Sequence, residues 1–364
     1  MATVDFAGLN PALASFFADR ISGQINRSVT LAQILPVKLD RGQGKNVQFI
    51  AKFGTSTGAA VADGANVSTF NNDSKVPGVL QYAIYSDAFK VTGLARAAAA
   101  AAGNPAQLAD IYMDEMGDSV ERLAKIVSQH LWTGNAGASP AQVAGLLAAS
   151  NAALGATGTY AGIARGTYAQ WASNSIDVTT VLAGGDPLGS VPGYDNNKLI
   201  IVALRKLRTA ITIASGKMPD VVVMGPALFE KFALAGQQNR RWVDQVRLNG
   251  GMIKLDYGLN ALDFDGMPVI EDVDCPAGSA VMLNTKEMYI QQLPDSADAV
   301  NGALGMAQLA GTPDQINRLD GRTRLSARVQ PLAINGDAFP FALYCYLQLV
   351  VLQPNCMGQL NGFV

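Results

Sequence analysis

The pentapeptide Gly54-Thr55-Ser56-Thr57-Gly58 has the spacing of a nucleophile elbow. In that motif a serine on a sharp strand-to-helix turn attacks a carbonyl carbon. The chemistry needs a helix after the serine, but Ala59–Asn66 reads as loop. We therefore read Ser56 as part of a hairpin tip. Gly42-Gln43-Gly44-Lys45-Asn46 hints at a phosphate loop. The Walker spacing asks for glycine at position 39 and a hydroxyl residue at 46, where the chain has Leu39 and Asn46. No GxGxxG follows a strand, so dinucleotide binding has no support. Asp263, Asp265, Glu271, Asp272 and Asp274 could hold a divalent cation. They lack EF-hand spacing and surround a hairpin, where aspartate serves turn chemistry. The chain's single histidine, His130, sits among apolar helix positions and reads as structural. One histidine excludes a multi-His metal site and makes a His-based triad a poor expectation. Asn26-Arg27-Ser28, Asn66-Val67-Ser68 and Asn72-Asp73-Ser74 match glycosylation acceptors, but no signal peptide is seen to deliver them. Arg240-Arg241-Trp242 reads as a small surface contact. No catalytic, cofactor-binding or metal-binding residue is assigned, and no cofactor is expected.

With no site to organise, the elements themselves carry the reading. The 364 residues are 49% apolar and 15% charged, enough for a large core and more than one domain. Lysine and arginine number 27 against 29 acidic residues, so no basic excess grips nucleic acid. Cys275, Cys345 and Cys356 are scattered, which suits a reducing cytoplasm and no zinc or disulfide frame. No apolar stretch reaches membrane-spanning length, so no membrane is expected.

The centre is Gly216–Leu234. Val221–Met224 is a continuous apolar run between Pro219-Asp220 and Gly225-Pro226, as in a strand buried on both faces. Asp195–Ala214 precedes it as an amphipathic helix that Asp195 caps and Gly216 ends. Pro226 opens a second helix carrying Leu228, Phe229 and Phe232. The strongest helix spans 104–132, with Asn104 as cap and Pro105 at its first position. Asp118/Arg122 and Glu121/Lys125 are spaced as i,i+4 pairs on it. Residues 1–40 read as an arm that needs another surface to lie on. Residues 41–95 read as one long hairpin, Lys45–Phe53 against Leu80–Val91 with the tip between. A lone two-stranded ribbon is marginal in water, so it is expected to pack on another copy. Within the Ala/Gly/Thr-rich 135–194, Tyr168 and Trp171 are the expected anchors. Leu262–Ile270, turning through Asp265-Gly266, and Ala280–Gln292 add strands to the core. Phe339–Leu352 is a long apolar strand, paired with the 104–132 helix, the spine helix, as a second domain.

This order of parts resembles the major capsid proteins of tailed bacteriophages, the Johnson fold. The resemblance rests on the 216–232 block, on Leu262–Asp274 followed by Cys275-Pro276-Ala277-Gly278-Ser279, and on Leu283-Asn284-Thr285 and Met288-Tyr289-Ile290. It implies an α+β fold of four parts: an N-terminal arm (1–40), an extended β-hairpin loop (41–95), a peripheral domain (96–140 and 295–364) with its spine helix, and an axial α/β domain (141–294).

It also implies a structural role, not an enzyme. Copies would form hexamers and pentamers of a procapsid that becomes an icosahedral virion shell, assembled in the host bacterial cytoplasm. The shell would enclose packaged double-stranded DNA without sequence-specific contact. The chain starts at Met1 and reaches the hairpin by about residue 45, so no scaffolding segment is visible. A separate scaffolding protein is therefore expected, with a portal protein and a decoration protein as further partners. Lys52, Lys75 and Lys90 lie in the ribbon, but no covalent cross-link is predicted. An encapsulin-like compartment is the alternative, and a serine hydrolase using Ser56 the remote one.

Overall fold

The computed structural model describes residues 30–39, 44–54, 62–63, 74–95, 97, 105–178, 196–235, 245–248, 251–254, 262–293, 328–332 and 337–363. The helices used below are α1 (Thr30–Ile34), α2 (Pro105–Thr133), α3 (Asn196–Ser215) and α4 (Pro226–Ala235). The strands are β1 (Val37–Leu39), β2 (Asn46–Phe53), β3 (Ser74–Gln81), β4 (Ala83–Thr92), β5 (Thr159–Tyr160), β6 (Ile163–Ala164), β7 (Asn174–Asp177) and β8 (Val221–Met224). They continue as β9 (Gln245–Leu248), β10 (Gly251–Lys254), β11 (Leu262–Phe264), β12 (Met267–Glu271), β13 (Ala280–Leu283), β14 (Met288–Gln292), β15 (Arg328–Pro331), β16 (Ala338–Val351) and β17 (Gly358–Asn361).

Strand β8 explains its own composition. All four residues are buried. Val222 and Met224 pack with Leu204, Leu207 and Phe229 of the flanking helices. Val221 and Val223 belong to the other core, with Leu131 and Trp132 of the spine helix. A strand with an apolar layer on each face has no side left for polar residues. It is central in a six-stranded mixed sheet of order β11-β12-β8-β13-β17-β7. Gly216 takes φ +67° and its N–H donates to Thr212 O, ending α3 where the sequence places the stop. Asp265 and Gly266 take φ 51° and 82°, a two-residue turn joining β11 to β12.

The second sheet has β16 at its middle. Strand β4 pairs along one side of it, while β14 and β15 share the other, and β1 extends the sheet beyond β14. The 29-residue α2, about 43 Å long, lies along β4. Asp87 of β4 accepts hydrogen bonds from Ser119 Oγ (2.6 Å) and Arg122 Nε (3.0 Å) of α2. Arg122 thus reaches across to the sheet as well as lying four residues from Asp118. Leu31, Ala32 and Leu35 are buried, so the last part of the arm lies on its own chain. Its first 29 residues lie outside the described residues, as do Asn104's structure and that of Asp195.

Three strand pairings differ from the sequence expectation. Leu80–Val91 is not one hairpin arm: β3 pairs with β2, whereas β4 pairs with β16. At the break beside Tyr82 the buried Gln348 side chain donates to Gln81 O (2.6 Å). Ala280–Gln292 likewise divides, β13 joining the central sheet and β14 the second one. Asn284 and Thr285 turn the chain there: Thr285 N–H and Oγ–H both donate to Asp220, and Asn284 Nδ2 donates to Met218 O. The Pro-Asp block and the Leu-Asn-Thr block therefore meet in space. Finally, the tail does not end in the β16 sheet, because β17 crosses back to lie between β13 and β7.

Candidate interaction surface

The β2–β3 ribbon has two unlike faces. Strict alternation puts Val47, Ala51, Phe53 and Leu80 on a buried face. Phe49 lies across Gly78, where an added Cβ would come within 2.6 Å of the ring, so glycine makes room for the aromatic. The opposite face carries the cross-strand pairs Gln48/Val79, Ile50/Pro77 and Lys52/Lys75. Ile50 is 73% exposed and Val79 41% exposed. Ile50 and Val79 thus lie diagonally across the two strands on one outward face. The spine helix presents another outward stripe, Glu115 and Asp118 in its first half and Ile126 (40% exposed) further on.

The buried face is covered from within the chain. Phe53 stacks on Tyr168 with centroids 4.4 Å apart and meets Trp171 edge-on at 5.8 Å. Val79 N–H donates to Ala161 O (2.9 Å). The expected anchors Tyr168 and Trp171 are thus found under the ribbon. This corrects the expectation that the ribbon has nothing of its own to lie on. Among the described residues of the ribbon, Ile50 and Val79 on its outer face are the exposed large apolar side chains.

The residues with chemical promise are dispersed. Ser56, the glycosylation acceptors and Arg240-Arg241-Trp242 lie outside the described residues. Gly44 takes φ +77° at the entry to β2, as a turn glycine does. Asp265 pairs with Arg208 (2.7 Å), Asp272 accepts Trp132 Nε1–H (3.0 Å), and Asp274 accepts Ser128 Oγ–H (2.5 Å). Among the described residues no group of three or more His, Cys, Asp or Glu is placed to hold a metal ion. The three thiols are buried, which pushes Cys345 and Cys356 up to about 12 and Cys275 higher still. No described helix is long and apolar enough to cross a membrane.

His130 hydrogen-bonds Tyr85 Oη through Nδ1 (2.9 Å), and Tyr85 Oη accepts Val143 N–H (3.1 Å). All three groups are satisfied when Tyr85 donates to a neutral imidazole protonated on Nε2. Burial lowers the His130 pKa below its ordinary 6.5. Below pH 6.5 and down through the depressed value, the unfolded chain binds more protons than the folded one. This contribution to stability is therefore complete above about pH 6.5 and is lost as pH falls. Urea midpoints should decline on acidification in wild type, and the decline should shrink in His130→Gln. An unchanged pH profile in the variant would disprove the assignment.

No protein-family model matches the chain, and no curated protein matches it. Solved structures do. The chain is similar to the cyanophage A-1(L) capsid asymmetric unit, with TM-score 0.64 and 20% identity over 94% of both chains. The chain has the fold of tailed-phage major capsid proteins. The capsid of Myoviridae phage XM1 aligns at TM-score 0.53 and 11% identity over 95% of each chain. The capsid of a native GTA particle aligns at 0.52 and 12%, over 98% of this chain and 100% of that one. The likeness covers nearly the whole chain. Sequence reasoning missed Arg165, which closes the loop beneath the ribbon. Its only signal was a lone cation in the Gly- and Ala-rich run Ala161–Gly166.

Proposed function

We propose that the chain is the major capsid protein of a tailed phage, a structural subunit and not a catalyst. Copies assemble into hexamers and pentamers that close an icosahedral head around double-stranded DNA. The observation that carries this reading is the ribbon: its inner face is satisfied within the chain, while Ile50 and Val79 stand in water on its outer face. A closed shell joins unlike surfaces of neighbouring copies, which gives such a face a partner. Obligate interfaces of this type bury roughly 2,000–5,000 Å². We read the chain as arm, ribbon, peripheral domain and axial domain, with β14 and β17 exchanged between the two sheets. Assembly in the bacterial cytoplasm on a separate scaffolding protein, with portal and decoration proteins added, belongs to the same proposal.

The test is negative-stain electron microscopy of the purified, overexpressed chain, with size-exclusion chromatography beside it. Shells, tubes or capsomer rings are expected. A compact monomer at every concentration, with and without co-expressed scaffold, would overturn the proposal. Particles from infected cells that contain enzyme cargo and no nuclease-protected DNA would favour an encapsulin-like compartment instead.

A further inference from the structure

Arg165 is 3% exposed, and each of its described hydrogen bonds goes to a main-chain carbonyl. Nη2 donates to Ala152 O (2.8 Å) and Ala153 O (3.1 Å), Nη1 to Thr157 O (3.0 Å), and Nε to Trp171 O (3.3 Å). The segment it gathers has only the two-residue β5–β6 ladder of its own. Buried carbonyls without a ladder need donors, and a guanidinium offers five in a fixed fork. Burial draws its pKa down to about 10.

What this knot holds is the surface beneath the ribbon. Trp171 Nε1–H donates to Tyr160 O (3.2 Å), and Tyr160 Oη accepts Val351 N–H (2.9 Å), tying the loop to β16. The rings then receive β2 through Phe49 and Phe53, while the Ala161 carbonyl receives β3 at Val79. Both strands of the ribbon are gripped, one by stacking and one by a backbone bond.

We infer that the Arg165-closed loop is a cradle that fixes the ribbon's angle before copies meet, so that its outer face reaches a neighbour already ordered. This rests on the shell reading above. Ordering a segment in advance removes that entropy cost from association. Arg165 acts through the loop and is a positioning residue.

Tyr168→Ala removes the ring under Phe53 and leaves the Arg165 knot intact. In the unassembled subunit, amides of 46–53 and 74–81 should exchange at least roughly tenfold faster. The concentration threshold for assembly, read by light scattering, should rise by roughly tenfold, while the thermal transition of the central sheet stays in place. Tyr168→Phe keeps the ring and should behave as wild type. Arg165→Met should move both readouts further; should it fail to fold, the Tyr168 pair still decides. Faster ribbon exchange at an unchanged threshold would overturn the inference, as would unchanged exchange. Wild-type protein that forms no shell would overturn the shell reading, and the cradle's role in assembly with it. Wild-type shells beside equally competent Tyr168→Ala shells would overturn the cradle alone.

Discussion

Replacing Trp132 with alanine is expected to destabilise the subunit by about 3–5 kcal/mol, the range for deleting a large aromatic from a packed core. Trp132 is fully buried near the end of the spine helix, in the core shared with Val221 and Val223 of the central sheet. Its Nε1–H donates to Asp272, which is 1% exposed. One turn earlier, Ser128 Oγ–H donates to Asp274. The last turns of α2 are thus bolted to the segment that leaves β12, and Trp132 supplies both volume and a polar bond. Alanine removes the volume and leaves the buried Asp272 carboxylate short of a donor. Trp132→Phe separates the two effects: it keeps most of the volume, and the lost donor alone should cost about 1–3 kcal/mol. Chemical denaturation followed by far-UV circular dichroism measures both. A Trp132→Ala loss below about 1 kcal/mol would mean that the helix is not docked through this residue.

The local punctuation of this fold is legible because it is chemically local. Gly216 ends α3, Asp265-Gly266 turns β11 into β12, and the apolar run of β8 states its two-sided burial. Each is decided by residues within a few positions. Strand partners are another matter. Leu80–Val91 reads as one strand, yet β4 finds its partner at 338–347, about 250 residues away, and Gln348 meets Gln81 where the two strands part. Nothing near Tyr82 announces a glutamine so distant. Arg165 is obscure for a similar reason: a cation among glycines reads as surface, and only loop closure buries it. Tyr168 and Trp171 were legible as anchors from their isolation in a small-residue segment, but not what they anchor. The candidate surface is defined by the exposure of Ile50 and Val79, which no motif marks. The alternation of Val47, Phe49 and Ala51 with Gln48 and Lys52 separates the ribbon's two faces, and the loop at 159–171 covers the first of them.

Ile50→Asp should raise the concentration threshold for assembly roughly 30-fold or more while leaving the subunit folded. Ile50 already stands in water, beside Pro77 on the opposite strand and close to Val79. An exposed position away from caps and cores tolerates substitution within about 0.5 kcal/mol. The fold therefore has no reason to fail, and the melting transition should match wild type. In a shell the same position is buried against a neighbour, and a carboxylate there must be desolvated without a prepared partner. Losing a hot-spot contact costs about 2 kcal/mol or more, which raises the concentration threshold roughly 30-fold. In a closed assembly of heterologous contacts each copy presents the ribbon once and receives one, so the penalty recurs at every interface. Light scattering against concentration, with electron microscopy of the end point, reads the effect. Ile50→Leu conserves the apolar surface and should assemble as wild type. The pair distinguishes a contact from a fold defect, because aspartate costs an exposed strand position at most about 1 kcal/mol, while the large difference from leucine arises where water is excluded. Shells of Ile50→Asp at the wild-type threshold would take the outer face of the ribbon out of the interface.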